Sequence, residues 1–268
     1  MKITVDDRSV FVGDLNRGFE SNRPTVTFVH GAAMDHSVWT MFARYFVRHG
    51  HNVVALDLPG HGQSEGNPLP SITELSSWLG RALETIGVSS TTLIGHSMGS
   101  LVALEFAATA PDRVDRLGLV GTAVPMAVTD ALLEAAKSNE SAAFNMVTIW
   151  SHGPNAHIGG ISSPGMWLPR GGLRLMEKSQ PGSLFADLTA CNEYTTGLEQ
   201  AAKITCPTLL ILGERDMMTP PRAAAKLQAA LPGAQSVVLK GVGHSLMSED
   251  PNGLLDALIT LTTLPEAA

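Results

Sequence analysis

The 268-residue chain has only two cysteines, Cys191 and Cys206, too few for a disulfide framework and without the paired spacing of a zinc site. Both read as buried thiols. Positive charge is also short: 18 lysines and arginines face 25 aspartates and glutamates, and the net charge of −7 leaves no basic stripe to neutralise phosphates. Nucleic acid and anionic membrane surfaces are excluded as partners on that ground. No apolar run reaches the length of a membrane span, and Met1-Lys2-Ile3-Thr4-Val5-Asp6-Asp7 contains no signal-peptide core. The expectation is a cytoplasmic protein. Internal repeats and low-complexity tracts are missing as well. The chain is instead rich in apolar residues, at 44% against 16% charged. That balance fits one large domain able to remove roughly 75% of its unfolded surface from water.

The apolar residues follow a rhythm. Met1–Val5 and Ser9–Asn16 read as edge strands joined by the acidic turn Asp6-Asp7. From Pro24 a β-rich run stops at Gly31, and the spacing of Val38, Trp39, Phe42, Ala43 and Phe46 predicts a helix after it. Asn52–Leu56 is a strand running into the turn-forming Asp57–Ser64. Thr73 is a candidate N-cap for a helix carrying Leu75, Trp78, Leu79, Leu83 and Ile86 and ending at Gly87. A strand from Thr91, a helix to Ala110 and a strand Val114–Val120 complete the first half. Near-continuous apolar strands alternating with helices predict an α/β fold, a mostly parallel sheet covered on both faces. After Pro125 the rhythm breaks. One helical segment is expected from Thr129 to about Trp150, followed by a Gly/Pro/Ser-rich run to Gly182, so residues 124–200 are expected to form a helical cap inserted into a core of 1–123 and 201–268. The sheet resumes at Thr208–Gly213 and ends at Ser236–Leu239, for about eight strands, with helices from Pro220 to Leu231 and Pro251 to Thr263.

Chemistry concentrates at Thr91–Leu104, where an apolar strand meets an apolar helix through Gly95-His96-Ser97-Met98-Gly99. A lone G-x-S-x-G is weak, but the strand–turn–helix context is the one the motif requires. Turning a strand into a helix at Ser97 strains its backbone, and glycines on both sides let the two arms approach. Ser97 as a mere N-cap is the plain alternative, yet capping does not call for both glycines. A serine nucleophile needs a base and an acid to orient it. Of the nine histidines only His244 follows a late strand in a Gly-x-Gly-His setting, while His30 and His61 read as structural, bonded to loop backbone. Asp216 follows the strand ending at Gly213. Glu214 and Asp57 are its competitors, and Asp216 could also cap the next helix. Ser97, Asp216 and His244 would all lie at carboxyl ends of parallel strands, where such sheets form their crevice.

Those residues, with His30-Gly31, Asp57-x-Pro59-Gly60-His61-Gly62-x-Ser64, Gly213-x-x-Asp216-x-x-x-Pro220 and Glu249-Asp250-Pro251, resemble the α/β-hydrolase family, in particular its compact bacterial esterases and perhydrolases. The resemblance spans the chain outside 124–200, which matches no cap type. It implies Ser97 as nucleophile, His244 as base, Asp216 as orienting acid, and an oxyanion hole from the Ala32 and Met98 N–H groups. No cofactor or metal is implied.

The expected function is hydrolysis of small to medium, largely apolar carboxylic esters, with a homodimer as candidate assembly. Methionine is a flexible, polarizable wall. Met34, Met126 and Met217, with Trp150 and Trp167, are the candidate substrate-binding residues, and Met166 also falls in the cap. One alternative is a lactonase or a carbon–carbon hydrolase of ring-fission products, which would use a cap arginine such as Arg170 or Arg174. Ser245-Leu246 stand where such enzymes carry an aromatic after the base. A second alternative is a ligand-binding member of the fold without catalysis. Serine rather than aspartate at 97 disfavours dehalogenase and epoxide hydrolase chemistry.

Overall fold

The computed structural model describes residues 1–15, 18–160 and 167–265, so the predicted strand end at Asn16 and the cap residue Met166 lie outside the described residues. Eight strands form one sheet: β1 (Lys2–Val5), β2 (Arg8–Gly13), β3 (Thr25–Val29), β4 (Asn52–Leu56), β5 (Thr91–His96), β6 (Val114–Val120), β7 (Thr208–Gly213) and β8 (Gln235–Leu239), in the order β1-β2-β4-β3-β5-β6-β7-β8. β1 pairs antiparallel with β2, and β2 with β4. Every later pair is parallel. Asp6 and Asp7 both take positive φ, at 50° and 57°, which is what a two-residue hairpin turn between β1 and β2 demands. Only β1 is a true edge on that side, because β2 is covered by β4.

Helices lie on both faces. Side chains alternate along each strand. In β7, Leu209 and Ile211 join Trp39, Phe42, Phe46, Leu254 and Leu258 on one face, while Leu210 and Leu212 join Leu75, Leu79, Leu101 and Leu104 on the other. The first group packs α1 (Thr40–Arg48) and a C-terminal helix, and the second packs α2 (Ile72–Ile86) and α3 (Met98–Thr109). The α2 cap differs from the expectation. Ser71, not Thr73, accepts from Glu74 N–H, and Glu74 reaches back toward the Ser71 hydroxyl.

Between β6 and β7 come α4 (Asp130–Ser138), α5 (Glu140–Ser151), α6 (Pro154–His157), α7 (Leu168–Met176), α8 (Ser183–Glu193) and α9 (Gly197–Ala201). The single helix expected from Thr129 is two. Asn139 leaves helical geometry (φ −149°, ψ 76°), and its side chain accepts from Ala142 N–H. A short polar side chain competes with the helix backbone and starts a new helix instead. Leu132, Ala136, Phe144, Val147, Met176, Leu184 and Leu188 form an apolar cluster of their own, whereas Ala190, Cys191 and Tyr194 at the end of α8 join the α2–α3 face. The chain closes with α10 (Pro221–Ala230), α11 (Leu246–Glu249) and α12 (Pro251–Thr263). Among the described residues no helix is long and apolar enough to cross a membrane.

The tightest contact in the fold is where β5 meets α3. A methyl group on Gly95 would sit 2.0 Å from the Gly99 carbonyl oxygen, and one on Gly99 would sit 2.4 Å from that of Val29. Gly171, in α7, has open space at that position. Gly95→Ala is therefore expected to destabilise the protein by about 3 kcal/mol or more, and Gly171→Ala to stabilise it by up to about 1 kcal/mol. Urea denaturation of the two variants beside the wild type checks both signs.

Candidate active site

Ser97 occupies the sharp turn between β5 and α3 with φ 53° and ψ −122°, a conformation that costs a non-glycine residue on the order of 1–3 kcal/mol. Its backbone is held on both sides. The Ser97 N–H donates to Val120 O at 2.9 Å, and Ser97 O accepts from the Ser100 N–H at 2.8 Å and the Ser100 hydroxyl at 2.6 Å. Ser100 accepts no slack either, its hydroxyl lying 2.9 Å from Thr122 Oγ1. The Ser97 hydroxyl has no protein partner among the described residues and faces a cavity. At the start of α3 the Met98 N–H has no intrahelical acceptor. The Ala32 N–H likewise donates to no acceptor among the described residues.

His244 and Asp216 meet. His244 Nδ1 donates to Asp216 Oδ2 at 2.7 Å, both side chains being almost wholly buried, which leaves Nε2 as the basic ring nitrogen. Asp216 Oδ1 accepts from the N–H groups of Met218 and Thr219, and Oδ2 also accepts from the Thr219 hydroxyl at 2.7 Å. These N–H groups belong to the loop before α10, whose start at Pro221 has no side-chain cap, so the helix-capping alternative for Asp216 does not hold; Oδ1 braces the loop and Oδ2 takes the imidazole. Glu214 binds the Gly241 N–H at the surface, and Asp57 accepts from the His36 N–H and Nδ1 and the Gln63 N–H. Neither reaches His244. Asp35, His36 and Asp57 bring three ligand-type atoms within 4.8 Å, but His36 and Asp57 are committed to each other there.

The loop carrying His244 is fixed at several points. His96 Nε2 donates to His244 O at 2.9 Å, and Ser245 N–H donates to Ser151 O at 2.8 Å. Glu249 accepts from the Gly153 and Gly243 N–H groups. Gly121 (φ +56°) runs under the imidazole, where a methyl group would lie 3.2 Å from His244 Cε1. His96 is pushed down to about 3 by burial and by the charge of His244, and so stays neutral. His30 is pushed down to about 4 by burial and by His61, its ring nitrogens bonded to Gly31 O and the Leu58 N–H. His61 departs from the expectation of backbone partners alone: Nδ1 lies 2.9 Å from Pro59 O, but Nε2 lies 2.9 Å from Asp187 Oδ2.

The cavity against Ser97 measures about 90 Å³ and is lined by Ala32, Met126, Leu132, Trp150, Leu188, Cys191, Met217, Met218 and Thr219 among others. Of the five substrate-binding candidates, Met126, Trp150 and Met217 lie there. Met34 lines a separate surface cavity with Gly62 and Lys178, beyond the Ala33 side of the turn, and Trp167 is 57% exposed at the start of α7. Among the described residues no lysine, arginine, aspartate or glutamate lines the Ser97 cavity. Arg170 is exposed, and Arg174 pairs with Glu177 at the surface. Sequence reasoning missed Thr219, His96 and Asp187. The first could have been suspected from its place between Asp216 and Pro220, while the other two carry no local signal.

Residues 28–257 match the model of the alpha/beta hydrolase family. Among curated proteins, (E)-2-((N-methylformamido)methylene)succinate hydrolase of Acinetobacter baylyi is 33% identical over 96 residues, covering 35% of this chain and 36% of that protein. That match thus spans about a third of the relative's length. The sn-1-specific diacylglycerol lipase of Mus musculus is 26% identical over 252 residues, covering 89% of this chain and 81% of the lipase. The solved enol-lactonase from Burkholderia xenovorans superposes with a TM-score of 0.87 at 20% identity, covering 98% of this chain and 100% of that one. The esterase from Exiguobacterium antarcticum gives 0.83 at 19%, covering 97% and 98%. At such identities the structural likeness speaks for the fold.

Burial alone would raise the Asp216 carboxyl, but the charge and hydrogen bond of His244 and the two bonds from Thr219 outweigh it, and the net shift is downward. A carboxylate held low stabilises the fold above its ordinary value, and the contribution is lost as pH falls through the depressed one. Wild type is therefore expected to melt above Asp216→Asn at neutral pH, the two curves converging below about pH 4. Thermal melts between pH 7 and pH 3 test this, and a constant gap would refute it.

Proposed function

This chain belongs to the alpha/beta hydrolase family, and from that premise we propose that it is a serine hydrolase cleaving carboxylic esters of small, largely apolar, uncharged substrates through an acyl-enzyme. Ser97 Oγ attacks the acyl carbonyl carbon while His244 Nε2 takes its proton, and Asp216 holds the imidazole in the required tautomer. The tetrahedral oxyanion is received by the Ala32 and Met98 N–H groups, each worth on the order of 3 kcal/mol to the transition state. Collapse breaks the bond to the alcohol oxygen, which leaves with the proton from Nε2. Water, deprotonated by the same nitrogen, then attacks the acyl-enzyme, and the acid departs as Ser97 regains its hydrogen.

The observation that carries the ester reading is the uncharged cavity around the Ser97 hydroxyl. Ring-fission products are carboxylates and would need a cation beside them, and both Arg170 and Arg174 are at the surface. A neutral lactone meets the same chemical requirements as an ester, and the fold it shares with an enol-lactonase keeps that class within the proposal. The fold shared with an esterase supports the main reading in the same measure. A purely ligand-binding role would give no use to the His244–Asp216 pair. Helices α4–α8 are proposed as the cap, within residues 124–200, with Met126, Trp150 and Leu188 as walls of the acyl pocket.

Short p-nitrophenyl esters are the direct assay. Ser97→Ala is expected to lose on the order of 10⁶ in turnover and Asp216→Asn about 10⁴, each remaining folded, and a serine-directed phosphonate is expected to label Ser97. Hydrolysis that survives in Ser97→Ala would sink the proposal, and rapid cleavage of ring-fission dienones with slow ester turnover would favour the carbon–carbon reading.

A further inference from the structure

Helix α8 reaches the proposed site from the segment between β6 and β7. Asp187 is wholly buried, and its Oδ2 accepts from the Ala33 N–H at 2.8 Å and pairs with His61 Nε2 at 2.9 Å. One helical turn earlier the buried Ser183 hydroxyl donates to Gly60 O at 3.4 Å, so the same face of α8 grips both the 31–34 turn and the 57–64 loop. These contacts join positions 154, 126 and 123 residues apart in the chain.

The gripped turn has a conformational problem. Met34 N–H donates to Gly31 O, closing a four-residue turn with Ala32 and Ala33 at its centre, and Ala33 has φ +51° while Ala32 does not take positive φ. That is a type II turn, whose third position is normally glycine or asparagine. With alanine there, an isolated chain prefers to rotate the central peptide by about 180° into type I. The rotation would turn the Ala32 carbonyl toward the Asp187 carboxylate and forfeit the Ala33 N–H bond. Between fixed ends, at β3 and at Asp35, the neighbouring torsions must absorb it, and the Ala32 N–H moves.

Asp187 is an expensive way to dock a helix. Its Oδ1 has no partner although buried, and an apolar residue fills such a place at no electrostatic cost. His61 Nδ1 faces a carbonyl that can only accept, so Nε2 donates to Asp187 as part of an imidazolium; burial opposes that charge, and Asp187, with smaller contributions from the Pro59 carbonyl and then Asp57, outweighs it, while the neutral His30 ring lies 5.0 Å away. The carboxylate is thereby held on the His61 ring and aimed at the Ala33 N–H.

We propose that Asp187, clamped by His61, is a positioning residue that holds the Ala32–Ala33 turn, and with it the Ala32 N–H, where a developing oxyanion can be received. The inference rests on the serine hydrolase reading above.

Asp187→Leu, purified and folded by circular dichroism, is expected to lose roughly 10- to 100-fold in kcat toward p-nitrophenyl butyrate with KM within about 3-fold of wild type. Ala33→Gly in the same background is expected to recover about 3-fold or more, because glycine takes the left-handed φ without an anchor. A role confined to helix docking would give no such rescue. Wild-type kcat in Asp187→Leu, or a loss that Ala33→Gly leaves untouched, overturns the assignment. Should the leucine variant not fold, Asp187→Asn decides: it keeps an acceptor for the Ala33 N–H and must stay within about 5-fold in kcat, a 100-fold loss counting against the proposal. Ser97→Ala is assayed alongside. Activity surviving there refutes the serine mechanism, whereas a dead Ser97→Ala beside an unimpaired Asp187→Leu refutes only the role of Asp187.

Discussion

The structure depends on a contact between backbones that only glycine permits. Where β5 becomes α3, Gly95 lies against the Gly99 carbonyl, Gly99 against the carbonyls of Val29 and His30, and Gly31 against His96 and Ser97. At Gly31 the His96 ring and the Ser97 Cβ pack directly on the chain, and at Gly95 and Gly99 the backbones of β5, α3 and the end of β3 therefore meet with no side chain between them. Their closeness forces Ser97 into its strained φ, and hydrogen bonds from Ser97 N–H to β6 and from Ser100 to Ser97 O offset that strain. It also brings the turn after β3 beside the first N–H groups of α3. The hydroxyl, the helix N-terminus and the Ala32 N–H share one small space because the glycines let the backbone close around it.

Buried histidines set the electrostatics of that space. His30, His61, His96 and His244 all have relative exposures below 5%, yet their surroundings differ. His30 and His96 face backbone groups or other imidazoles, so burial wins and they remain neutral. His61 and His244 each face a carboxylate, Asp187 and Asp216. The two pairs differ in what the remaining ring nitrogen meets. In His61 it is spent on Pro59 O, whereas in His244 Nδ1 takes the carboxylate and Nε2 is left over. That one difference makes His244 suited to carry a proton back and forth and His61 suited to hold a charge still.

Much of this was legible in the sequence because parallel strands buried on both faces read as unbroken apolar runs: Thr25–Val29, Asn52–Leu56, Thr91–His96 and Thr208–Gly213 are buried at every position. The glycines and the serine were legible because a backbone constraint leaves a local mark. Asp216 and His244 were legible by their distance past a strand end, although the Thr219 hydroxyl shared between them was not. The segment between β6 and β7 was the least legible. Its helices are set by one another, so Asn139 divides what periodicity joined, and Trp167, alike in type to Trp150, ends outside the cavity; Met34, on the turn after β3, also ends outside it, though alike in type to Met126. The link from Asp187 to His61 spans 126 residues and leaves no pattern that a single sequence can display.

Those links limit how the segment can move. At the end of α5, Ser151 O and the Gly153 N–H bond to the loop of His244 and to Glu249, and on α8, Asp187 and Ser183 bond to the turn and loop beneath. Tyr194 and Gln200 add two more bonds, both to the buried Glu105 of α3. Lifting the segment as a body would expose or orphan several buried polar groups at once, each costing about 1–3 kcal/mol. Trp150 and Leu188 adjoin these anchored points, so they form the fixed side of the cavity. Met217, 67% exposed and on the loop between β7 and α10, lies on its open side. In the ester hydrolysis proposed above, substrate would enter past a flexible methionine toward a rigid wall, and shape would discriminate the acyl end more strictly than the end left at the mouth.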